Sequence, residues 1–116
     1  MYKFREVILE NGHKKLVIEL ENKSMELVSA FLTVEMNNFG DYIKEALDSV
    51  LVKNEEYSEF EGNVYGLIIR KESTEVYDTL NEDAGTCVIN TVELNKLVNI
   101  FYSKLKELKE KEIRNL

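Results

Sequence analysis

The sequence predicts an α+β domain in which two amphipathic helices pack on an antiparallel sheet, with the elements in the order β-β-β-α-β-β-β-α. Three observations support this class: a hairpin turn signal near the amino terminus, two segments with helical spacing of apolar residues, and several short β-prone segments. The 116 residues, 44% of them hydrophobic, are enough to bury one core. We therefore expect a single domain over residues 1–116.

A β-hairpin is predicted at the start of the chain. Asn11 and Gly12 are the pair favoured in a two-residue type I′ turn, and the segments on both sides are rich in Val, Ile and Leu. We place the two strands at about residues 2–10 and 13–21.

Residues 26–36 admit two interpretations. Apolar residues fall on alternate positions, which is the period of a strand: Val28, Ala30, Leu32, Val34 and Met36. Val28, Phe31 and Leu32 also share one face of a helix, so a helix is the alternative. Because of the alternation, we predict a third strand here.

The first helix is predicted to start near Asn38 or Asp41, since either residue can cap it. Its apolar residues have the i, i+3, i+4, i+7, i+8 spacing of an amphipathic helix: Ile43, Ala46, Leu47, Val50 and Leu51. Residues 53–63 are predicted to be a polar connection that ends at Gly62 and Asn63.

Three strands are predicted after this connection. Residues 64–70 are strongly β-prone and should form a central strand. Residues 75–80 and 86–90 form two more strands, with a turn over 81–85 between them.

The predicted strand at 75–80 has two distinct faces, because side chains alternate along a strand. We expect Val76 and Leu80 to face the core. This orientation directs Glu75 and Tyr77 to solvent.

A long amphipathic helix is predicted to end the chain. Thr91 is a good N-cap residue, and Glu93 favours the first turn. An apolar stripe follows and ends among lysines: Leu94, Leu97, Val98, Phe101, Leu105 and Leu108. We expect this stripe to cover the domain's own sheet, and the alternative is a partner-binding seam.

Charge is segregated along the chain, whose net charge is −7. Residues 41–93 hold 13 acids and 4 bases, whereas residues 94–116 hold 3 acids and 6 bases. One stretch has six acids and no Lys or Arg: Glu72, Glu75, Asp78, Glu82, Asp83 and Glu93. Such a block attracts a basic partner and repels phosphates and anionic lipids, so we expect a protein partner and neither nucleic-acid nor membrane binding.

Few residues suited to catalysis are present. His13 is the only histidine and Cys87 the only cysteine, so a zinc site lacks ligands, and no Walker or Gly-x-Gly-x-x-Gly loop is present. We expect no catalytic residue, no metal and no cofactor, and a binding protein rather than an enzyme. A carboxylate-dependent enzyme or small-ligand binder is an alternative, and it requires a pocket with two converging acids.

Tyrosines lie within or beside the acidic middle of the chain, and this composition is typical of an interface that combines aromatic anchors with charge steering. We predict that the partner-binding surface contains these residues: Tyr57, Glu59, Glu72, Glu75, Tyr77, Asp78, Glu82 and Asp83. The alternative is that the tyrosines are half-buried sheet residues and the acids only keep the surface soluble.

The segments 60–69 (FEGNVYGLII) and 86–98 (TCVINTVELNKLV), followed by the helix with its basic end, resemble the small acidic immunity proteins of bacterial contact-dependent growth inhibition and related polymorphic toxin systems. The layout of the whole chain, including the opening hairpin, is similar too. The resemblance implies a cytoplasmic, non-catalytic protein that is specific for one toxin domain, often a nuclease, and occludes its basic active-site cleft.

Together these observations predict an immunity protein that neutralises a cognate toxin domain through its acidic middle, as a monomer or weak homodimer. The start of the chain has no apolar signal segment and the single cysteine suits a reducing compartment, so we expect a cytoplasmic location. The alternative function is a structural or regulatory subunit that self-associates or docks through the carboxy-terminal helix.

Overall fold

The structure is a computed structural model that describes residues 2–114, and the surroundings of side chains for residues 2–111. The order of elements in this part of the chain is β1 (Tyr2–Ile8), β2 (Lys14–Leu20), α1 (Glu26–Leu51), β3 (Tyr57–Glu61), β4 (Tyr65–Arg70), β5 (Ser73–Asp78), β6 (Thr86–Asn90) and α2 (Thr91–Arg114). Short 3₁₀ turns lie at Lys23–Met25 and Glu82–Ala84. The predicted α+β class is confirmed.

The strands form two antiparallel sheets. β1 and β2 make the predicted hairpin, but the predicted two-residue type I′ turn is wrong, because Asn11 lacks the positive φ which that turn requires. The N–H of Gly12 donates to the carbonyl of Leu9 (2.9 Å), and Gly12 alone in this turn has a positive φ, of 84°. The remaining strands form a second sheet in the order β3-β4-β5-β6, so β4 is internal as predicted. Each connection in this sheet joins neighbouring strands, which is a simple meander.

The helices form a layer between the two sheets. α1 contacts β2 on one side and the four-stranded sheet on the other, while α2 packs beside α1 and contacts β5 and β6. The ring of Phe101 in α2 also meets the ring of Phe4 in β1, with centroids 5.7 Å apart. Buried residues from both sheets and both helices therefore form one continuous core. Among the described residues, no helix is long and apolar enough to cross a membrane.

The predicted strand at residues 26–36 is wrong, because these residues form the first part of α1. Three polar side chains at helical spacing, Ser29, Thr33 and Asn37, lie on one face of the helix and bond the backbone of β2. The N–H of Leu20 donates to Ser29 Oγ (3.1 Å), that of Ile18 to Thr33 Oγ1 (3.1 Å), and Asn37 Nδ2 donates to the carbonyl of Leu16 (3.0 Å). The helical alternative, with Val28, Phe31 and Leu32 on one buried face, is the one that the structure adopts.

The predicted helix start at Asn38 or Asp41 is also wrong, because α1 continues through both positions. The change in apolar period marks a kink instead: Phe39 has non-helical backbone angles (φ −128°, ψ 26°). Its ring packs against Phe60, with centroids 5.9 Å apart. A kink of this kind reorients the second half of the helix without ending it.

The predicted polar connection over residues 53–63 is wrong in part, because strand β3 lies within it. Phe60 is the side chain of this strand that is buried, whereas Tyr57, Glu59 and Glu61 are exposed. A strand with one buried side chain carries a weak hydrophobic pattern, and this explains why the sequence did not reveal it.

The apolar stripe of α2 packs on the domain's own core as predicted, with Leu94, Val98 and Phe101 fully buried. The predicted N-cap at Thr91 is wrong. The side chain of Asn90 caps the helix instead, since its Oδ1 accepts a hydrogen bond from the N–H of Glu93 (3.1 Å). Thr91 is buried, and its hydroxyl bonds that of Thr74 at 2.8 Å.

Candidate functional site

The four-stranded sheet has one face that the helices cover and one that they do not. Strand alternation and the pairing register place twelve residues on the uncovered side: Tyr57, Glu59, Glu61, Gly66, Ile68, Arg70, Ser73, Glu75, Tyr77, Thr86, Val88 and Asn90. We call this surface the outer face. Val88 is 55% exposed and Tyr57 46% exposed, so large apolar and aromatic groups are open to solvent here.

Two cross-strand rows form the centre of the outer face. The first row runs Glu59, Ile68, Glu75 and Val88 across the four strands, and the second runs Glu61, Gly66, Tyr77 and Thr86. Paired residues in such rows lie about 5 Å apart. Carboxylates and apolar or aromatic groups therefore alternate over a few ångströms, which is a suitable surface for a partner with basic and apolar groups.

The ring of Tyr77 lies over Gly66. A Cβ built at Gly66 would come within 2.4 Å of the Cζ atom of Tyr77, so this position requires glycine for the ring to lie flat on the sheet. Burial raises the pKa of the Tyr77 hydroxyl, and the nearby charges of Glu61 and Glu59 raise it further. The hydroxyl therefore stays protonated as a hydrogen-bond donor beside two carboxylates.

Tyr57 is held at the margin of the outer face by two neighbours. Its hydroxyl donates a hydrogen bond to the carboxylate of Glu59, and the guanidinium of Arg70 lies 5.6 Å from the centre of its ring. Arg70 is the base on the outer face, opposed by the three acids Glu59, Glu61 and Glu75. The outer face therefore has a net negative charge.

The ion pairs among the described side chains lie away from the outer face. They join Arg5 to Glu19, Lys96 to Glu93, and both Lys104 and Lys111 to Glu107. None of these contacts neutralises Glu59, Glu61 or Glu75. The negative potential of the outer face is thus available to a partner.

Four of the predicted partner-binding residues come together on the outer face: Tyr57, Glu59, Glu75 and Tyr77. Glu72 lies in the turn between β4 and β5, and Glu82 and Asp83 lie in the exposed 3₁₀ turn before β6. These three acids extend the negative charge beyond the strands.

Asp78 is placed differently from its neighbours Glu75 and Tyr77. Its carboxylate accepts hydrogen bonds from the backbone N–H groups of Leu80 (2.8 Å) and Asn81 (3.1 Å), so it stabilises the turn that follows β5. The prediction that Leu80 faces the core is wrong. It lies beyond the end of β5 and is 76% exposed, whereas Val76 is fully buried as predicted.

Glu61, Ile68 and Val88 also belong to the outer face, although they are not among the predicted binding residues. Glu61 lies in the strand that was missed. Ile68 and Val88 are apolar residues in predicted strands, and only the register shows which side of the sheet they face.

The buried carboxylate of Glu35 positions the β3–β4 turn on α1. It accepts hydrogen bonds from three consecutive N–H groups, those of Asn63 (3.1 Å), Val64 (3.0 Å) and Tyr65 (2.8 Å). Gly62 permits this approach, because a Cβ there would lie 2.3 Å from the carboxyl carbon of Glu35. The anchor fixes the end of the sheet that carries Glu61 and Gly66.

Neither the single histidine nor the single cysteine of the chain lies on the outer face. His13 is exposed in the first hairpin, and burial raises the pKa of the half-buried Cys87 thiol, which disfavours the reactive thiolate. Among the residues that the structure describes, no group of three or more His, Cys, Asp or Glu side chains is arranged to hold a metal ion.

Comparison with known proteins gives one informative relative. The chain is 41% identical over 117 residues to a protein of Bacillus cereus that is named "Immunity protein", and the alignment covers 99% of this chain and 97% of that protein. No family model matches the sequence. No solved structure matches it either.

Proposed function

Because this chain belongs to the family of the Bacillus cereus immunity protein, we propose that it binds a cognate toxin domain through the outer face and thereby neutralises it. The observation that carries the proposal is an uncovered sheet face with Tyr57, Tyr77, Ile68 and Val88 among uncompensated carboxylates. Aromatic and apolar groups supply most of the binding energy in protein interfaces, and charge supplies speed and specificity.

The toxin domain has a basic surface and is a nuclease. A nuclease must present positive charge to the phosphates of its substrate, so an inhibitor with a negative face competes directly for the same surface. Glu59, Glu61 and Glu75 provide this charge at the centre, and Glu72, Glu82 and Asp83 provide it at the margin. The immunity protein occupies the toxin surface and carries out no reaction of its own.

The setting that fits this activity is the cytoplasm of a bacterium that carries a contact-dependent or polymorphic toxin system. The toxin domain then enters from a neighbouring cell, and inhibition must be faster than damage. Electrostatic steering raises association rates by orders of magnitude at low salt. The acidic outer face is suited to this requirement.

The alternative function, docking or self-association through α2, has less support. Its surface would be the apolar stripe, but Leu94, Val98 and Phe101 are fully buried and Leu97, Leu105 and Leu108 pack against the same core. Because the apolar stripe of α2 packs on the domain's own core, it is not free to bind a second protein.

The proposal is tested with the toxin domain encoded beside the gene of this chain, produced in a catalytically inactive form. Light scattering is expected to show a 1:1 complex, and calorimetry a Kd that rises at least about tenfold between about 50 mM and 500 mM salt. Co-expression with the active toxin domain is expected to restore growth. A toxin domain that does not bind, or binds with no dependence on salt, would contradict the proposal.

A further inference from the structure

The last strand of the four-stranded sheet has an open edge. β6 pairs only with β5, and the N–H of Thr91 donates to the carbonyl of Glu72 at the end of this pairing. Hydrogen-bonded pairs alternate in an antiparallel ladder, so the backbone groups of Cys87 and Ile89 point to β5. Those of Thr86 and Val88 point away from the sheet, and no other described strand pairs with them.

The turn at Lys23–Met25 touches this strand at the Sγ of Cys87, which lies 3.5 Å from the carbonyl oxygen of Ser24, but the sequence of the strand lacks the usual protection against pairing. Exposed edges are normally blocked by charged side chains, proline or a covering element. β1 carries Lys3, Arg5 and Glu6, and β3 carries Glu59 and Glu61. β6, by contrast, has the sequence TCVIN, which contains no charge and no proline.

A mainly apolar groove of about 380 Å³ lies beside β6, between this strand and the first hairpin. Its apolar lining comes from Tyr2, Leu20, Met25, Ile89 and Leu97. Val88 borders the groove and belongs to the outer face as well. The groove and the outer face are therefore continuous at this edge.

We propose that an extended segment of the toxin domain pairs with β6 as a fifth strand of the sheet. This inference rests on the proposed function and specifies the mode of binding. Side chains of the added strand alternate, so apolar ones enter the groove while basic ones lie over the outer face. A basic side chain opposite Val88 would lie about 10 Å from Glu75, two strand spacings away, within reach of a long Lys or Arg.

A second copy of this chain fits the edge less well than a basic segment. Glu82 and Asp83 lie just before β6, and Glu93 lies just after it. Antiparallel pairing of two β6 strands would bring the start of each next to the end of the other, and like charges would then face one another across the new interface. A basic strand meets the same acids with opposite charge.

Amide hydrogen exchange of this protein, alone and with the inactive toxin domain, tests the inference directly. The N–H groups of Thr86 and Val88 are expected to exchange quickly in the free protein and at least about tenfold more slowly in the complex. If the toxin domain binds in a salt-dependent manner but these amides are not protected, strand pairing is wrong and the proposed function stands. If the toxin domain does not bind, both are wrong.

A matched pair of variants provides a second readout. Val88→Pro removes an N–H that makes no bond inside the sheet, and Val88→Thr keeps both the N–H and the branched shape. Val88→Pro is expected to raise the Kd for the toxin domain at least about tenfold, and Val88→Thr less than about threefold. Equal affinities for the two variants would contradict the inference, as would a homodimer of the free protein that Val88→Pro dissociates.

Discussion

The β2 margin of the first hairpin and the β6 margin of the four-stranded sheet differ in whether the backbone is covered. The outward edge of β2 is closed by Ser29, Thr33 and Asn37 of α1, whose side chains bond its backbone. Among the described residues, no side chain bonds the outward backbone groups of β6, and the outer face beside this strand is open as well. The hairpin is therefore a supporting part of the fold, whereas the four-stranded sheet leaves an edge and a face available for a partner.

Acids of the interior and acids of the outer face also differ. Glu35 is fully buried, and three N–H groups satisfy its carboxylate. Glu59 and Glu75 lie on the outer face without an ion-pair partner among the described side chains. A buried carboxylate with full hydrogen bonding serves the fold, while uncompensated surface carboxylates add self-repulsion that a basic partner relieves.

The largest expected effect on stability comes from removing the buried acid. Glu35→Ala leaves the N–H groups of Asn63, Val64 and Tyr65 without an acceptor, so we expect the free energy of unfolding to fall by about 3–5 kcal/mol in urea denaturation. Glu45→Ala, at an exposed position of the same helix, is the control and should change it by less than about 0.5 kcal/mol. Similar losses for both would show that Glu35 is not an anchor.

A smaller effect is expected from opening the closed edge of β2. Asn37→Ala removes the contacts that its side chain makes with the backbone of Leu16, and we expect a loss of about 1–2 kcal/mol with faster exchange of the Leu16 amide. Asn38→Ala is the matched control, since that side chain is exposed. If the Leu16 amide exchanged at an unchanged rate, the side chain of Asn37 would not be what closes this edge.

Much of the fold could be predicted because several segments have a strong hydrophobic period. The first hairpin, β4 and α2 all have such a period, and the structure contains each of them. Residues 26–36 were assigned to a strand in error, because polar side chains that bond β2 lie between apolar ones and imitate the alternation of a strand. The role of Glu35 was equally hidden, since its partners are backbone groups about thirty residues away.

The candidate site could be predicted only in part. Alternation along β5 directs Glu75 and Tyr77 to solvent once Val76 is assigned to the core, and the structure confirms this assignment of Val76. The register of four strands is needed to bring Tyr57 and Glu59 beside them. Charge alone grouped Asp78 with these residues, although its carboxylate is engaged in a turn.

The most direct test of the account compares two double charge reversals by calorimetry with the inactive toxin domain. Glu59→Lys with Glu75→Lys reverses the outer face, while Glu6→Lys with Glu10→Lys makes the same change in net charge at exposed positions of the first hairpin. Asp78 is left intact because it stabilises a turn. Circular dichroism checks that both variants remain folded.

We expect the outer-face variant to bind about 100-fold more weakly at low salt. Each reversal replaces an attraction by a repulsion, and we expect it to weaken the binding free energy by about 1.4 kcal/mol, which is a factor of ten in Kd. The hairpin variant should stay within about threefold of the unmodified protein. Equal losses in the two folded variants, or no loss in the outer-face variant, would contradict the claim that the outer face binds the toxin domain.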